Sequence, residues 1–104
     1  MILLHIITKK HEQVKEILEI LINEELITGV TVSETISSYK SDKGEIKTVL
    51  TNLIIGRTKA MLFSTIEKLL KNKYGNFMPV IYGMPIIIMD FKHWEKLKKV
   101  VKEE

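Results

Sequence analysis

Apolar positions along this chain follow two rhythms, one of period two and one of period near 3.6. Residues 1–7 are apolar except at His5. The run is too short for a helix and reads as a strand in the middle of a sheet. Thr8 follows as a candidate cap for a first helical turn. Over residues 10–25, Val14, Ile17, Leu18, Leu21 and Ile22 form the i, i+3, i+4, i+7, i+8 stripe of an amphipathic helix. Glu12, Lys15, Glu16 and Glu19 fall mainly on its wet side. Thr28-Gly29 is expected to end that unit.

Residues 30–40 are rich in β-branched side chains and alternate as a strand does, and residues 45–55 alternate again. The cluster Ser41-Asp42-Lys43-Gly44 between them is a turn, so the two segments make a long hairpin. Its distal half, residues 37–48, is polar enough to project beyond the core. Gly56-Arg57-Thr58 is expected to break the strand and to cap a second helix at Thr58. That helix carries the stripe Leu62, Phe63, Ile66, Leu69 and Leu70 and ends near Lys73. Residues 77–89 are apolar with Pro79 and Pro85 inside, which predicts an edge strand or a strand broken around Gly83. Asp90 then caps a short last helix with Trp94, Leu97 and Val101 on one side.

The order strand, helix, strand, strand, helix, strand, plus a terminal helix, predicts an α+β fold. It is the ferredoxin-like β-α-β-β-α-β sandwich with a long central hairpin and an extra C-terminal helix. Right-handed crossovers put both helices on one face of the sheet. The first strand is apolar on both sides, Leu3, His5 and Ile7 against Ile2, Leu4 and Ile6. In one small domain the second cover is most simply another subunit.

Length and composition narrow the classes. At 104 residues the chain is expected to form a single domain over 1–104, without linker or repeat. It has no cysteine, which excludes disulfide scaffolds, zinc ribbons and thiol nucleophiles and suits a reducing cytoplasm. Residues 1–4 are followed at once by His5, Lys9, Lys10 and His11, unlike a secretory leader. No apolar run approaches the ~20 residues of a membrane span. A cytoplasmic protein without a membrane partner is expected. The net charge of +3 is weak for a nucleic-acid binder. The first and third strands also lack the aromatics on which RNA-recognition sheets stack bases, so no nucleic-acid partner is expected.

Candidate chemistry is sparse. His5 lies mid-strand, His11 opens the first helix and His93 opens the last, with no two at ligand spacing on one element. A metal site would have to be assembled from them across the fold or between subunits. The five glycines stand singly, so there is no phosphate-cradling loop and no nucleotide motif. No serine sits in a nucleophile elbow. Glu34, Asp42 and Glu45 line the hairpin as solvated acids rather than an acid/base pair. A non-enzymatic protein is expected.

The chain resembles the CutA divalent-cation-tolerance family, relatives of the PII signalling proteins. The resemblance rests on Ser38-Tyr39 with the turn through Gly44 to Ile46, and on Leu53-Ile54-Ile55-Gly56-Arg57-Thr58-Lys59 leading into a helix. It rests also on Tyr74, Pro79-Val80-Ile81 and Met84-Pro85-Ile86, and on Trp94. It implies a homotrimer whose subunits extend one another's sheets, and a divalent cation such as copper as the ligand to test. It further implies a cleft between subunits near the hairpin, with Tyr39, Lys40, Lys73 and Tyr74 as candidate ligand-binding residues. A small molecule or a protein would be the partner. Several family positions differ. Residues 28–31 hold no cysteine, Asn72-Lys73 replaces a histidine before Tyr74, Val80 replaces a glutamate, and Lys40 replaces a tryptophan. A soft copper site therefore has no thiolate to draw on. The PII glycine-rich loop has no counterpart in Lys73-Tyr74-Gly75-Asn76.

Overall fold

In a computed structural model, described over residues 1–87 with Lys92, Glu95, Lys99 and Val101, the first strand β1 runs Ile2–Thr8 and leads to helix α1, His11–Asn23. Strands β2 (Thr28–Asp42) and β3 (Glu45–Thr58) form the hairpin. Helix α2 (Phe63–Tyr74) follows a 3-10 turn at Ala60–Leu62, and β4 (Val80–Pro85) closes the order. The four strands make one antiparallel sheet in the order β2-β3-β1-β4. This is the ferredoxin-like topology expected, with β4 the continuous edge strand: Gly83 pairs with Leu4 and does not interrupt it.

One face of the sheet is closed by the helices. Leu4, Ile6 and Ile54 from the strands are fully buried against Val14, Ile17 and Leu21 of α1 and Ile66 and Leu70 of α2. Val14, Ile17, Leu21, Ile66 and Leu70 of the two expected stripes thus reach the core, while Ile22 and Leu69 at their margins stay exposed. Of the expected C-terminal helix, Lys92, Glu95 and Lys99 are helical and Val101 is buried in the same core. Asp90, Trp94 and Leu97 lie outside the described residues.

Four local expectations are corrected. Helix α1 ends before Thr28-Gly29. The Leu26 amide donates to the Leu21 carbonyl at 2.9 Å, and the Glu25 amide to the Ile22 carbonyl at 3.1 Å. This is a Schellman closure with Glu25, at φ 56°, in the left-handed position that glycine usually takes. Leu26 and Leu21 are both fully buried, so their contact favours the turn even though an L residue at this angle costs roughly 1–2 kcal/mol.

Gly29 instead lies inside β2, at a register shift between Thr28 and Thr31, with φ 61°. A Cβ there would collide with the Arg57 guanidinium, which folds over it. Gly56-Arg57-Thr58 continues β3 rather than breaking it. Gly56 pairs with Leu4 and leaves room for Ile27, whose Cδ1 occupies the space an added Cβ would need. Thr58 caps no helix. Its hydroxyl, fully buried, donates to the Leu26 carbonyl at 2.6 Å. Nor does Thr8 sit at the cap position itself. Lys10 holds that place, and the Thr8 hydroxyl accepts from the Lys10 amide at 3.1 Å.

Candidate functional site

The hairpin arm is the first feature the fold presents for function. Strands of 15 and 14 residues outrun the helices that cover their base, and the radius of gyration is 14.8 Å against about 13 Å for a compact chain of this length. Along one side of the arm, Ser37, Tyr39 and Ser41 pair with Leu50, Thr48 and Ile46. Tyr39 is 71% exposed and Ile46 80%. On the other side Lys40 stands opposite Lys47, whose ammonium is drawn 2.6 Å from Asp42. An isolated two-stranded ribbon is marginal in water, and this one carries an apolar stripe without cover from the described residues of its own chain.

A second bulge anchors the arm. The register shifts between Ser33 and Ile36, and Thr35 adopts φ 56°, unusual for a β-branched residue. Buried Asn52 takes up the loose ends: its Oδ1 accepts from the Thr35 amide, and its Nδ2 donates to the Thr8 carbonyl, each at 3.2 Å. From there the network continues. The Thr8 hydroxyl donates to Gln13 Oε1, and Gln13 Nε2 donates to the Phe77 carbonyl at 2.9 Å. Above it a cleft of about 370 Å³ opens between residues 7–10 and 76–80. The Lys10 ammonium lies there 4.7 Å from the Phe77 ring centroid. No sequence motif marks Gln13, Asn52 or Phe77. The available signal was Gln13 itself, four residues before Ile17 and hence a lone amide on the apolar side of α1.

The four candidate ligand-binding residues fall in two places. Tyr39 and Lys40 are on the arm. Lys73 and Tyr74 end α2, with the Lys73 ammonium 5.7 Å from the Tyr74 ring centroid. Tyr74 reaches back to α1 and donates to Glu16 Oε1 at 2.8 Å. Partial burial raises the phenol's pKa above its ordinary value, and the Glu16 hydrogen bond and negative charge add to the shift.

Histidines are spread out. His11 Nδ1 lies 3.7 Å from Glu34 Oε2, both side chains well exposed. His93 lies outside the described residues. His5 sits on the outer face of the sheet, its ring stacked on Tyr82 at 4.9 Å and 12°. That face is a three-by-three array across β4, β1 and β3. Its rows are Met84–Leu3–Arg57, Tyr82–His5–Ile55 and Val80–Ile7–Leu53. The β1 and β3 members are half-buried, while Val80, Met84 and Tyr82 are 60%, 49% and 41% exposed. Arg57 Nε is buried without a hydrogen-bond partner among the described residues.

A ferredoxin-like α+β protein with helices on one sheet face, a projecting arm and a largely apolar second face half-covered among the described residues is the class these features define. The CutA1 divalent ion tolerance protein family matches residues 2–101, and the chain belongs to it. Its fold is similar to that of CutA1 from Oryza sativa, with TM-score 0.85 and 23% identity over 99% of this chain and 94% of that one. It is similar too to the divalent cation tolerance protein CutA1 of Thermus thermophilus, with TM-score 0.82 and 19% identity over 97% and 98%. A third similar structure is the protein of Archaeoglobus fulgidus called periplasmic divalent cation tolerance protein CutA, with TM-score 0.81 and 19% identity over 97% and 98%. No curated protein sequence matches the chain.

The family name raises the question of a metal, and the donor set of the described residues bears on it. The chain has no cysteine. Among the described residues no three His, Asp or Glu side chains come together in a way that could hold an ion. His5 faces an apolar sheet surface and His11 a single carboxylate. The described residues do not by themselves make a metal centre. Among the described residues, also, no helix is long and apolar enough to cross a membrane.

Proposed function

We propose that the chain acts as a homotrimeric binding or regulatory protein of divalent-cation tolerance, without catalytic chemistry of its own. The observation that supports this most is the pair of apolar surfaces that the described residues leave partly or wholly uncovered, the outer sheet face and the arm stripe of Tyr39, Ile46 and Leu50. Exposed patches of this kind mark interaction sites, and the open edges at β2 and β4 invite pairing with further strands. Three copies related by a closed symmetry would satisfy both. The ligand site is then the cleft between subunits beside the arm, with Tyr39 and Lys40 brought towards Lys73 and Tyr74. A cysteine-free chain suits the cytoplasm, the compartment we assign to it.

A second reading is favoured by the donor set described above. The protein is then a PII-like signalling module that binds a small molecule or a protein partner and holds no metal. The two readings separate in one experiment, the melting temperature of metal-stripped protein against divalent cations and adenine nucleotides. A ligand at 100 times its dissociation constant stabilises by about 2.7 kcal/mol. A shift with copper or zinc supports cation tolerance, and a shift with nucleotide alone supports the signalling module. Sedimentation mass tests the trimer. Ile46→Lys, on the arm and away from the core, is expected to drive a trimer towards smaller species. A wild-type protein that sediments as one protomer at every concentration would defeat the assembly.

A further inference from the structure

We infer that the cleft between the β1–α1 link and the α2–β4 link binds a small carboxylic acid with an apolar body, of the arylacetate kind. One chain alone lines it, so the inference goes beyond the assembly and the intersubunit cleft proposed above and depends on neither. Residues 7–10 form one wall and residues 76–80 the other, around about 370 Å³, a volume in the range of small-molecule sites. Two ties fix the separation of the walls. Ile7 pairs with Val80 in the sheet, and Gln13 Nε2 donates to the Phe77 carbonyl at 2.9 Å. Thr8 holds Gln13 in turn, its hydroxyl donating to Oε1, with both side chains buried. The cleft is therefore braced before a ligand arrives, which keeps the ordering cost of binding low.

Its chemistry is divided between the two parts of such a ligand. Ile7, Phe77, Met78, Pro79 and Val80 make apolar walls, with Phe77 and Val80 exposed despite their size. Lys9 and Lys10 add two ammonium groups at the rim, and no lining residue is acidic. Glu12 and Glu34 line a separate groove beside His11. Among the described residues neither lysine is paired with a carboxylate. Lys10 rests instead on the opposite wall, its Nζ 4.7 Å from the Phe77 ring centroid. A ring face holds an ammonium less strongly than a carboxylate does through a charge-assisted hydrogen bond. A carboxylate entering the cleft therefore draws Lys10 off the ring and frees that ring for the ligand's apolar body. An inorganic anion meets only the lysines, which salt screens at an exposed rim. A neutral apolar molecule meets only the walls. The complement of this cleft is one molecule that carries both parts.

The test is an NMR titration of the full chain with phenylacetate at matched ionic strength, read from the backbone amides. Phenylacetamide, which has the same shape without the charge, and inorganic phosphate, which has charge without the body, are titrated alongside. The expected result is a saturable shift of amides in residues 7–10 and 76–80, with a dissociation constant on the order of 1 mM for a ligand this small. Phenylacetamide and phosphate should each bind about tenfold more weakly, and so should phenylacetate to Lys10→Met or Phe77→Ala, a factor worth about 1.4 kcal/mol. Amides outside the cleft report whether each variant keeps the fold. Should a variant fail to fold, the three probes on wild type still decide between charge, body and both. Phenylacetamide or phosphate binding as well as phenylacetate would overturn the inference. So would undiminished binding to Lys10→Met, shifts confined to the arm or the outer sheet face, or no saturable shift by about 20 mM. Each of those results leaves the assembly standing, because sedimentation reads it separately.

Discussion

Leu4 and Ile6 project from one side of β1, Leu3, His5 and Ile7 from the other, and the two sets meet different surroundings. The first set is fully buried under α1 and α2, together with Ile54 of β3. The second is only half-buried, with exposed Val80, Tyr82 and Met84 beside it. Both sides are apolar, so the contrast is not one of core against wet surface. A strand in a sheet with one solvated face alternates apolar with polar. This strand alternates apolar with apolar, and among the described residues one side is fully buried while the other is only half-covered. The inner face encodes the fold of the protomer, and the outer face is apolar beyond what the described residues cover. The arm repeats the contrast, since its base is tied by Asn52 and its distal stripe is bare.

The largest expected effect separates the two faces directly. Ile6→Ala removes a fully buried side chain between strands and helices, and large-to-small changes of this kind cost about 2–5 kcal/mol. Val80→Ala, on the outer face, is expected to cost within about 0.5 kcal/mol in the dissociated protomer. It acts on self-association instead. Urea unfolding over a hundredfold range of protein concentration distinguishes them: the Ile6→Ala penalty holds throughout, and the Val80→Ala penalty grows with concentration. Equal, concentration-independent penalties would mean that the faces are not different in kind.

Topology was legible in the residues because each helix shows its stripe and each strand its run, and the order of elements then leaves few arrangements. The bare outer face was legible too, from Leu3, His5 and Ile7 alternating with equally apolar neighbours. What failed was punctuation. Gly29, Gly56 and Thr58 carry the ordinary marks of a helix stop, a strand break and a cap. In the fold they serve long-range contacts with Arg57, Ile27 and the Leu26 carbonyl. The true helix stop uses Glu25, which carries no such mark, because burial of Leu26 against Leu21 decides where the chain turns. The Asn52–Thr8–Gln13 network joins residues distant in sequence, and spacing along a chain cannot announce it.

Thr58 offers the next effect in size. Replacing it with valine keeps the shape but leaves the Leu26 carbonyl, buried at the helix exit, without its donor. A buried polar group left unpaired costs about 1–3 kcal/mol. The change lies on the closed side of the sheet, so the loss should be the same at every protein concentration. A loss that vanished in dilute protein would place Thr58 in the assembly instead of the protomer core.

The smallest effect concerns the tie between the two helices on the closed side. The Tyr74 phenol, raised in the folded protein chiefly by burial and then by Glu16, holds its proton where the unfolded chain begins to lose it. A group whose folded pKa is raised contributes stability that is whole below its unfolded value, near 10.0 here, and is lost as pH rises towards the folded one. Tyr74 is only partly buried, so solvent screening holds its contribution below about 1 kcal/mol. Tyr74→Phe should therefore be slightly less stable than wild type from pH 7 to 9, by the same margin throughout. Above pH 10 the unfolded wild-type chain gains by ionising at this position, and the phenylalanine variant has no such gain. Wild type therefore loses stability relative to the variant, and the margin between them narrows. Denaturant midpoints from pH 7 to pH 11 read this directly. A margin that stayed constant to pH 11 would show that the Tyr74–Glu16 hydrogen bond does not hold the phenol's proton.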